Sequence, residues 1–241
     1  PPAPADERPR DPGALPAAAS GRDVEASPGS QEPLVVADAR SPIAPGPSLR
    51  WGSLKFVAQL RQTYLLCEGP DGFYVVDQHA AAERVNFDKL RKQFRSRTIA
   101  SQALLFPLVL AVSPAEAELV EERAEDFAAL GLDLRLQGAE LVALHSVPRL
   151  LARATPERLV RDLLVEIARS GRRAFSDAID LAIATMACHA SVRAGDPLSE
   201  TEARSLLAAL DLADFAGYCP HGRPVVAATT WSELERRVGR R

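Results

Sequence analysis

The chain is expected to fold as an α+β protein behind a disordered, proline-rich linker, and three observations lead there. Strand-like and helix-like segments are mixed along the chain and joined by short turns, which favours antiparallel hairpins over a doubly wound parallel sheet. Neither an internal repeat nor a glycine-rich phosphate loop interrupts that order. Eleven of the nineteen prolines fall between Pro1 and Pro47, leaving too little apolar surface to offset the entropy of ordering that backbone. Residues 1–50 are therefore read as a linker that follows another domain, with the Pro33-Leu-Val-Val-Ala patch making transient contacts. Folding is expected from Trp51 onward.

The elements follow in order. Trp51 to Leu66 alternates apolar and polar residues through Leu54, Phe56, Leu60 and Tyr64, as strands do. Gly69-Pro70-Asp71-Gly72 turns the chain into a short apolar strand, Phe73 to Val76, which Asp77 ends. A helix is expected from Gln78 to about Phe94, so strand, acidic residue and helix meet at one corner. Ala103 to Val112 is an apolar strand containing Pro107. Ser113-Pro114-Ala115-Glu116 combines a capping serine, proline at the first helical position and glutamate at the third, starting a helix that runs to Leu130 and stops at Gly131. Strands at Asp133 to Leu136 and Glu140 to Ser146 turn at Gln137-Gly138. Helices are expected from Thr155-Pro156 to about Ser170, from Phe175 to Arg193 with apolar residues on nearly every side, and from Ser199 to near Leu212. Pro224 to Ala228 reads as a strand and Thr230 to Arg237 as a last short helix.

The roughly 190 residues after the linker are rich in Leu, Ala and Val, enough for a real core. No run approaches the 18 to 20 or so apolar residues of a membrane helix, and no basic-then-apolar signal pattern opens the chain. No membrane partner is expected. Three widely spaced cysteines argue against a disulfide framework and for a reducing compartment, the cytoplasm. A formal charge of -3 excludes strong polyanion binding by the chain as a whole. The basic runs Arg91 to Arg97 and Arg236 to Arg241 read as solvated helix ends where cations suit the dipole.

Chemistry-bearing residues concentrate in three short segments: Asp77-Gln-His79-Ala-Ala-Ala-Glu83, Ala187-Cys188-His189-Ala190 and Cys219-Pro-His221-Gly-Arg223-Pro224. His79 and Glu83 are four apart on the expected helix and project from one face. Cys219 and His221 flank a proline in a turn that can aim both side chains at one point. A thiolate, imidazoles and a carboxylate around a borderline-soft ion describe a zinc-like site. Cys188 lies in an apolar helix, where a lone buried cysteine is usually just a small core residue. His189 is read as capping or packing and left outside the ligand set, His145 is given a structural role at a strand end, and Cys67, before a turn, is assigned none.

The string Asp77-Gln-His-Ala-Ala-Ala-Glu83-Arg-Val-Asn-Phe-Asp88 resembles the endonuclease motif of the MutL family of DNA mismatch-repair proteins. In that family the pattern ends in Glu, where this chain has Asp88. The Cys188 and Cys219 segments resemble two further family motifs in the expected order, while the family's carboxyl-terminal Phe-x-Arg survives only as Val238-Gly239-Arg240. The resemblance implies a two-subdomain carboxyl-terminal domain without the amino-terminal ATPase: a dimerisation and endonuclease subdomain from 51–98 and 182–241 around a regulatory insert at 99–181. It implies His79, Glu83, Cys188, Cys219 and His221 as metal ligands and Asp77 and Glu83 as catalytic, with Asp88, Arg223 and Arg240 as accessory residues. Arg223 either contacts phosphate or pairs with a carboxylate such as Asp77 or Glu83. It further implies structural or regulatory zinc, activating manganese, ATP only through the missing ATPase, a homodimer, and duplex DNA and MutS as partners of a bacterial protein that joins the nucleoid when active. Gln102-Ala-Leu104-Leu-Phe106-Pro107 is similar to the family's sliding-clamp-binding peptide. The competing expectation is a non-catalytic dimerisation and clamp-docking module with a structural zinc.

Overall fold

The computed structural model describes residues 49–170, 175–193, 195–214 and 217–240. Apart from Leu49 and Arg50, the expected linker lies outside them. Two antiparallel sheets and seven α-helices make up these residues, so the α+β expectation holds. The first sheet has the order β1-β2-β3-β7, formed by β1 (Lys55–Leu60), β2 (Tyr64–Glu68), β3 (Gly72–Asp77) and β7 (Val226–Thr230). The second, from the middle of the chain, has the order β4-β6-β5, with β4 (Ser101–Ala111), β5 (Asp133–Gly138) and β6 (Leu141–Pro148). The first sheet thus joins both ends of the folded region.

The strand-like stretch from Trp51 to Leu66 is a 3-10 turn at Trp51–Ser53 followed by a hairpin of β1 and β2, whose turn the alternation did not mark. The chain reverses at Arg61 and Gln62, with φ of 51° and 50°, and Thr63 N–H donates to the Leu60 carbonyl at 3.0 Å. Positive φ at both central residues matches the twist of the flanking strands, but neither residue is the Gly or Asn that usually supplies it. The sequence therefore showed no turn. A second difference is a break at Arg123, which divides the helix after Ser113 into α2 (Pro114–Glu122) and α3 (Ala124–Ala129). The start is as expected: Ser113 Oγ accepts from Glu116 N–H while the Glu116 carboxylate accepts from Ser113 N–H.

Two apolar clusters hold the fold. One lies on the first sheet's inner face, where Leu65, Cys67, Tyr74, Val76 and Val226 meet Ala80 and Ala81 of α1 (Gln78–Arg95) and Ala203, Leu207 and Leu210 of α6 (Glu200–Leu210). The other joins the second sheet to α4 (Pro156–Ser170) and α5 (Phe175–Ala190), and takes in Phe87 and Leu90 from the far half of α1. Helix α1 therefore contributes one end to each core, and a boundary drawn at 98 and 182 passes through the second. Helix α5 is buried as expected but ends at Ala190, not Arg193. Basic residues do occupy the last turns of α1 (Lys92, Arg95) and of α7 (Trp231–Arg237; Arg236, Arg237). No helix of the described residues is long and apolar enough to cross a membrane.

Candidate metal centre

Three separate pieces of chain converge at the amino-terminal end of α1. The Asp77 carboxylate caps the helix, its Oδ1 accepting from His79 N–H at 2.9 Å and Ala80 N–H at 3.0 Å. One turn on, His79 and Glu83 share a face, with His79 Nε2 3.0 Å from Glu83 Oε1. Helix α5 crosses α1 and brings Cys188 to the same point, its neighbours Met186 and Ala187 being fully buried core residues. The third piece is a tight turn in which Gly222 N–H donates to the Cys219 carbonyl and Cys219 N–H to that of Arg223. Gly222 has φ +80°, a conformation costly for any residue with a Cβ, and this bend lets Cys219 and His221 face one target. His79, Glu83 and Cys188 have ligand atoms within 4.8 Å of one another, as do Glu83, Cys219 and His221. Glu83 belongs to both groups, so all five expected ligands gather around one carboxylate.

That carboxylate is fully buried. Burial alone would raise its pKa, but hydrogen bonds from His221, His79 and Cys188 outweigh burial and hold it well below the usual carboxylate range. His221 Nδ1 approaches Glu83 Oε2 at 3.3 Å and Arg223 Nη2 approaches Oε1 at 3.9 Å. In the metal-free arrangement His79 is pushed up to about 10, chiefly by Cys188 and then by Glu83, against the effect of its own burial.

The geometry of His79 shows what the cluster fits. Its Nδ1 lies 2.7 Å from the Val192 carbonyl, a group that can only accept, so Nδ1 carries a proton. Without a metal, the second ring proton of a charged His79 lies between Nε2 and Glu83 Oε1, which are 3.0 Å apart though out of good hydrogen-bond alignment. Two electron-rich atoms so close, one of them buried, need a proton or a cation between them. With two sulfurs, two imidazoles and a carboxylate available, the donor set fits zinc.

The remaining expected residues fall elsewhere. Asp77 caps α1 and belongs to neither ligand group. Asp88 pairs with Lys92 at 2.6 Å and lines a groove with Val85 and Leu212. Arg223 has a side chain 58 % exposed at the open side of the cluster, and Arg240 lies in the exposed turn after α7. His189 binds Asp162 of α4 at 2.9 Å, bordering a hollow of about 250 Å³ that Cys188 and His221 also line. In β4, Leu104 packs toward the second core while Leu105 and Phe106 point outward, and the pairing with β6 is irregular from Ala103 to Leu108. Sequence reasoning missed Gln59, Gln78 and the Val192 carbonyl, since a buried amide in a polar position looks like any solvent-facing residue.

A family model described as the MutL C terminal dimerisation domain matches residues 57–198, a stretch that includes His79, Glu83 and Cys188 but ends before Cys219. Among similar proteins, a DNA mismatch repair protein MutL from Anaeromyxobacter sp. (strain K) is 44% identical over 212 residues, covering 87% of this chain and 35% of the relative. That from Pelobacter propionicus is 38% identical over 220 residues, covering 89% and 36%, and that from Xanthomonas axonopodis pv. citri 39% over 181 residues, covering 75% and 29%. The chain spans about a third of the length of the curated relatives it matches. With a family model covering more than half of its length and relatives near 40% identity, the chain belongs to the MutL carboxyl-terminal dimerisation domain family.

Proposed function

We propose that this chain is the metal-dependent nicking endonuclease domain of a MutL homodimer acting in DNA mismatch repair. The observation that carries the reading is the convergence of His79, Glu83, Cys188, Cys219 and His221 around one buried carboxylate with an unsatisfied oxygen. These five would hold zinc through their thiolates and imidazoles, while manganese, which prefers carboxylate and water, activates. A bound cation would polarise the scissile phosphate and lower the pKa of an attacking water. Arg223, exposed beside His221, offers a guanidinium to a backbone phosphate. Asp77 keeps a carboxylate at the start of the helix that carries His79 and Glu83, and is proposed as a catalytic group there.

Dimerisation is assigned to the outer face of the first sheet. Val57, Leu60 and Tyr64 are 50%, 42% and 40% exposed there, beside Leu66 and Phe73, and among the described residues Trp231 of α7 covers one corner. Clamp docking is assigned to Gln102, Leu104, Phe106 and Pro107, supported by the 78% exposure of Phe106 and the irregular strand pairing around it. The division into a dimerisation subdomain (51–98 and 182–241) and a regulatory insert (99–181) draws support from the two sheets. MutS, duplex DNA and an ATPase gate are the corresponding partners of the longer protein.

One observation favours the non-catalytic module with a structural zinc: Asp77 is engaged as a helix cap and lies outside both ligand groups. A single experiment separates the two readings. Supercoiled plasmid is incubated with manganese and the chain, joined to its ATPase and with clamp present, and compared with Asp77→Asn. Nicking that disappears in Asp77→Asn, with dimer and zinc content unchanged, is the expected result. A folded, zinc-loaded wild type that never nicks would leave the docking module.

A further inference from the structure

We infer that Gln59 and Gln78 are positioning residues for the metal centre: a buried amide pair that holds the segment after α5 so that the Val192 carbonyl orients His79. The inference rests on the metal-binding part of the reading above and adds to it two residues outside the ligand set.

Gln78 has no solvent exposure, and such a side chain must find its partners inside the protein. Its Nε2 donates toward three carbonyls: Gln62 at 2.9 Å, Arg193 at 3.0 Å and Asp196 at 3.0 Å. Its Oε1 accepts from Gln59 Nε2 at 2.6 Å. Gln59 in turn donates to the Asp196 carbonyl at 2.9 Å and accepts from Leu198 N–H at 3.2 Å. Two amides distant in sequence thus tie the β1–β2 turn and the start of α1 to Arg193, Asp196 and Leu198. Gly195 N–H adds a third tie, donating to the Gln62 carbonyl at 2.7 Å.

The tie matters because of where it sits. Gln78 holds the carbonyls of Arg193, which follows directly on Val192, and of Asp196, four residues beyond it, and the Val192 carbonyl is the group that accepts from His79 Nδ1. Ligand orientation by a hydrogen bond to the other ring nitrogen is the ordinary way a protein fixes a metal-binding histidine. Val192 lies between two anchors: Ser191, tied to Ala187 and Asn86, and Arg193, whose carbonyl Gln78 holds, so the amide pair supplies the anchor on its carboxyl-terminal side. Helix α1 is held against the same point, since Gln78 N–H donates to the Thr63 carbonyl at 3.0 Å. The non-glycine residues at positive φ in this turn, Arg61 and Gln62, fit the same account. Backbone conformations of that kind persist where the surroundings over-determine them, and Gln62 presents its carbonyl to both Gln78 and Gly195.

The test is zinc affinity, read by competition with a chromogenic chelator, together with the ¹⁵N resonances of the His79 ring in the zinc-loaded protein. Gln59→Met removes the amide while keeping length, and Gln59 is far from every ligand in sequence. Residues that support a ligand cost about 10–100-fold in metal affinity when removed; a loss of about tenfold, with altered His79 resonances, is expected for Gln59→Met. Gln78→Met should lose more, but the burial of Gln78 means this variant can fail to fold, so Gln59→Met is the deciding one. Leu144→Ala, in the core of the other sheet, controls for general destabilisation: it should lower stability and leave zinc affinity unchanged. A folded Gln59→Met with wild-type affinity and unmoved His79 resonances would overturn the inference while leaving the metal reading intact. A wild type that binds no zinc would overturn both.

Discussion

The amino-terminal turn of α1 adjoins two buried polar clusters that differ in one respect. Around Gln78 each amide atom has a protein partner at hydrogen-bond distance, and no charge is involved. Around Glu83, one residue beyond the next turn, a carboxylate with no exposure keeps an oxygen without an aligned partner and faces two imidazoles and two thiols. A satisfied buried network fixes geometry and asks for nothing more. An unsatisfied one, in a protein that folds, marks the place of something that binds. The comparison separates a support from a site using hydrogen-bond bookkeeping alone, and it can be broken at either cluster.

The largest effect is expected at Glu83. Glu83→Gln preserves shape but removes the charge shared by both ligand groups, so zinc affinity should fall by more than about a hundredfold, beyond the range for residues that only support a ligand. Isothermal titration of the chelator-stripped chain would measure it. Retention of near-wild-type affinity would show that the two groups do not share Glu83 as a ligand. Next in size is Leu144→Ala in the second core, expected to cost about 2–5 kcal/mol in urea unfolding with zinc affinity unchanged. Coupling between this variant and zinc content would mean that the site depends on the second core as a whole. Removing zinc from the wild type should cost about 2.7 kcal/mol at free zinc a hundredfold above Kd, a fall in Tm of about 5–10 °C for a chain of this size. An unchanged Tm after complete chelation would count against a tightly held ion.

How much of this could be read without coordinates differs between the two clusters for the same reason. The ligand segments were legible because His and Cys are scarce, and their concentration in three short strings is a signal in itself. The support was not. Gln59 sits at a polar position of an alternating strand, and polarity there reads as solvent exposure until Gln78 is seen across from it. The hairpin failed similarly: Arg61-Gln62 lacks the glycine or asparagine by which positive φ announces itself. Where local chemistry agrees with local structure, as at Ser113 and Ser199, helix starts were found to the residue. Helix α1 also shows why a boundary could not be placed from pattern alone, since Ala80 and Phe87 of the same helix belong to different cores.

The metal-free chain should also titrate differently from the loaded one. His79, raised to about 10 from an ordinary value of 6.5, binds its proton more tightly folded than unfolded. Its contribution to stability is complete below pH 6.5 and is lost as pH rises toward 10. Glu83 is shifted the other way, so its contribution is present above its ordinary value of 4.5 and lost as pH falls further. Chelated protein should therefore be most stable between about pH 4.5 and 6.5 as far as this cluster is concerned. On the proposed reading a bound zinc would take the place of the His79 proton, so the loaded chain should lack the decline from 6.5 to 10. Cys67, pushed up to about 11 by burial, adds a fall above pH 9 that is common to both forms. Urea midpoints at pH 6 and 8.5, with and without chelator, test this below the Cys67 range. Parallel profiles would contradict the assignment of a shared proton and metal position.

The smallest expected effect is the one on which the activity experiment depends. Asp77 caps α1 through Oδ1 alone, which receives both backbone N–H groups. Asparagine caps about as well as aspartate, so Asp77→Asn should change folding stability by no more than a few tenths of a kcal/mol, whereas Asp77→Ala should cost about 1 kcal/mol. The helix dipole favours the aspartate charge slightly, which sets the sign of the small loss in Asp77→Asn. Zinc content should be unaffected in Asp77→Asn, because His79 and Glu83 start from a helix whose first turn is still capped. Paired urea titrations of the two variants would measure the difference between them. Equal losses of about 1 kcal/mol or more would mean that the charge itself holds the turn, and nicking lost in Asp77→Asn could then come from a displaced His79 rather than from a missing carboxylate.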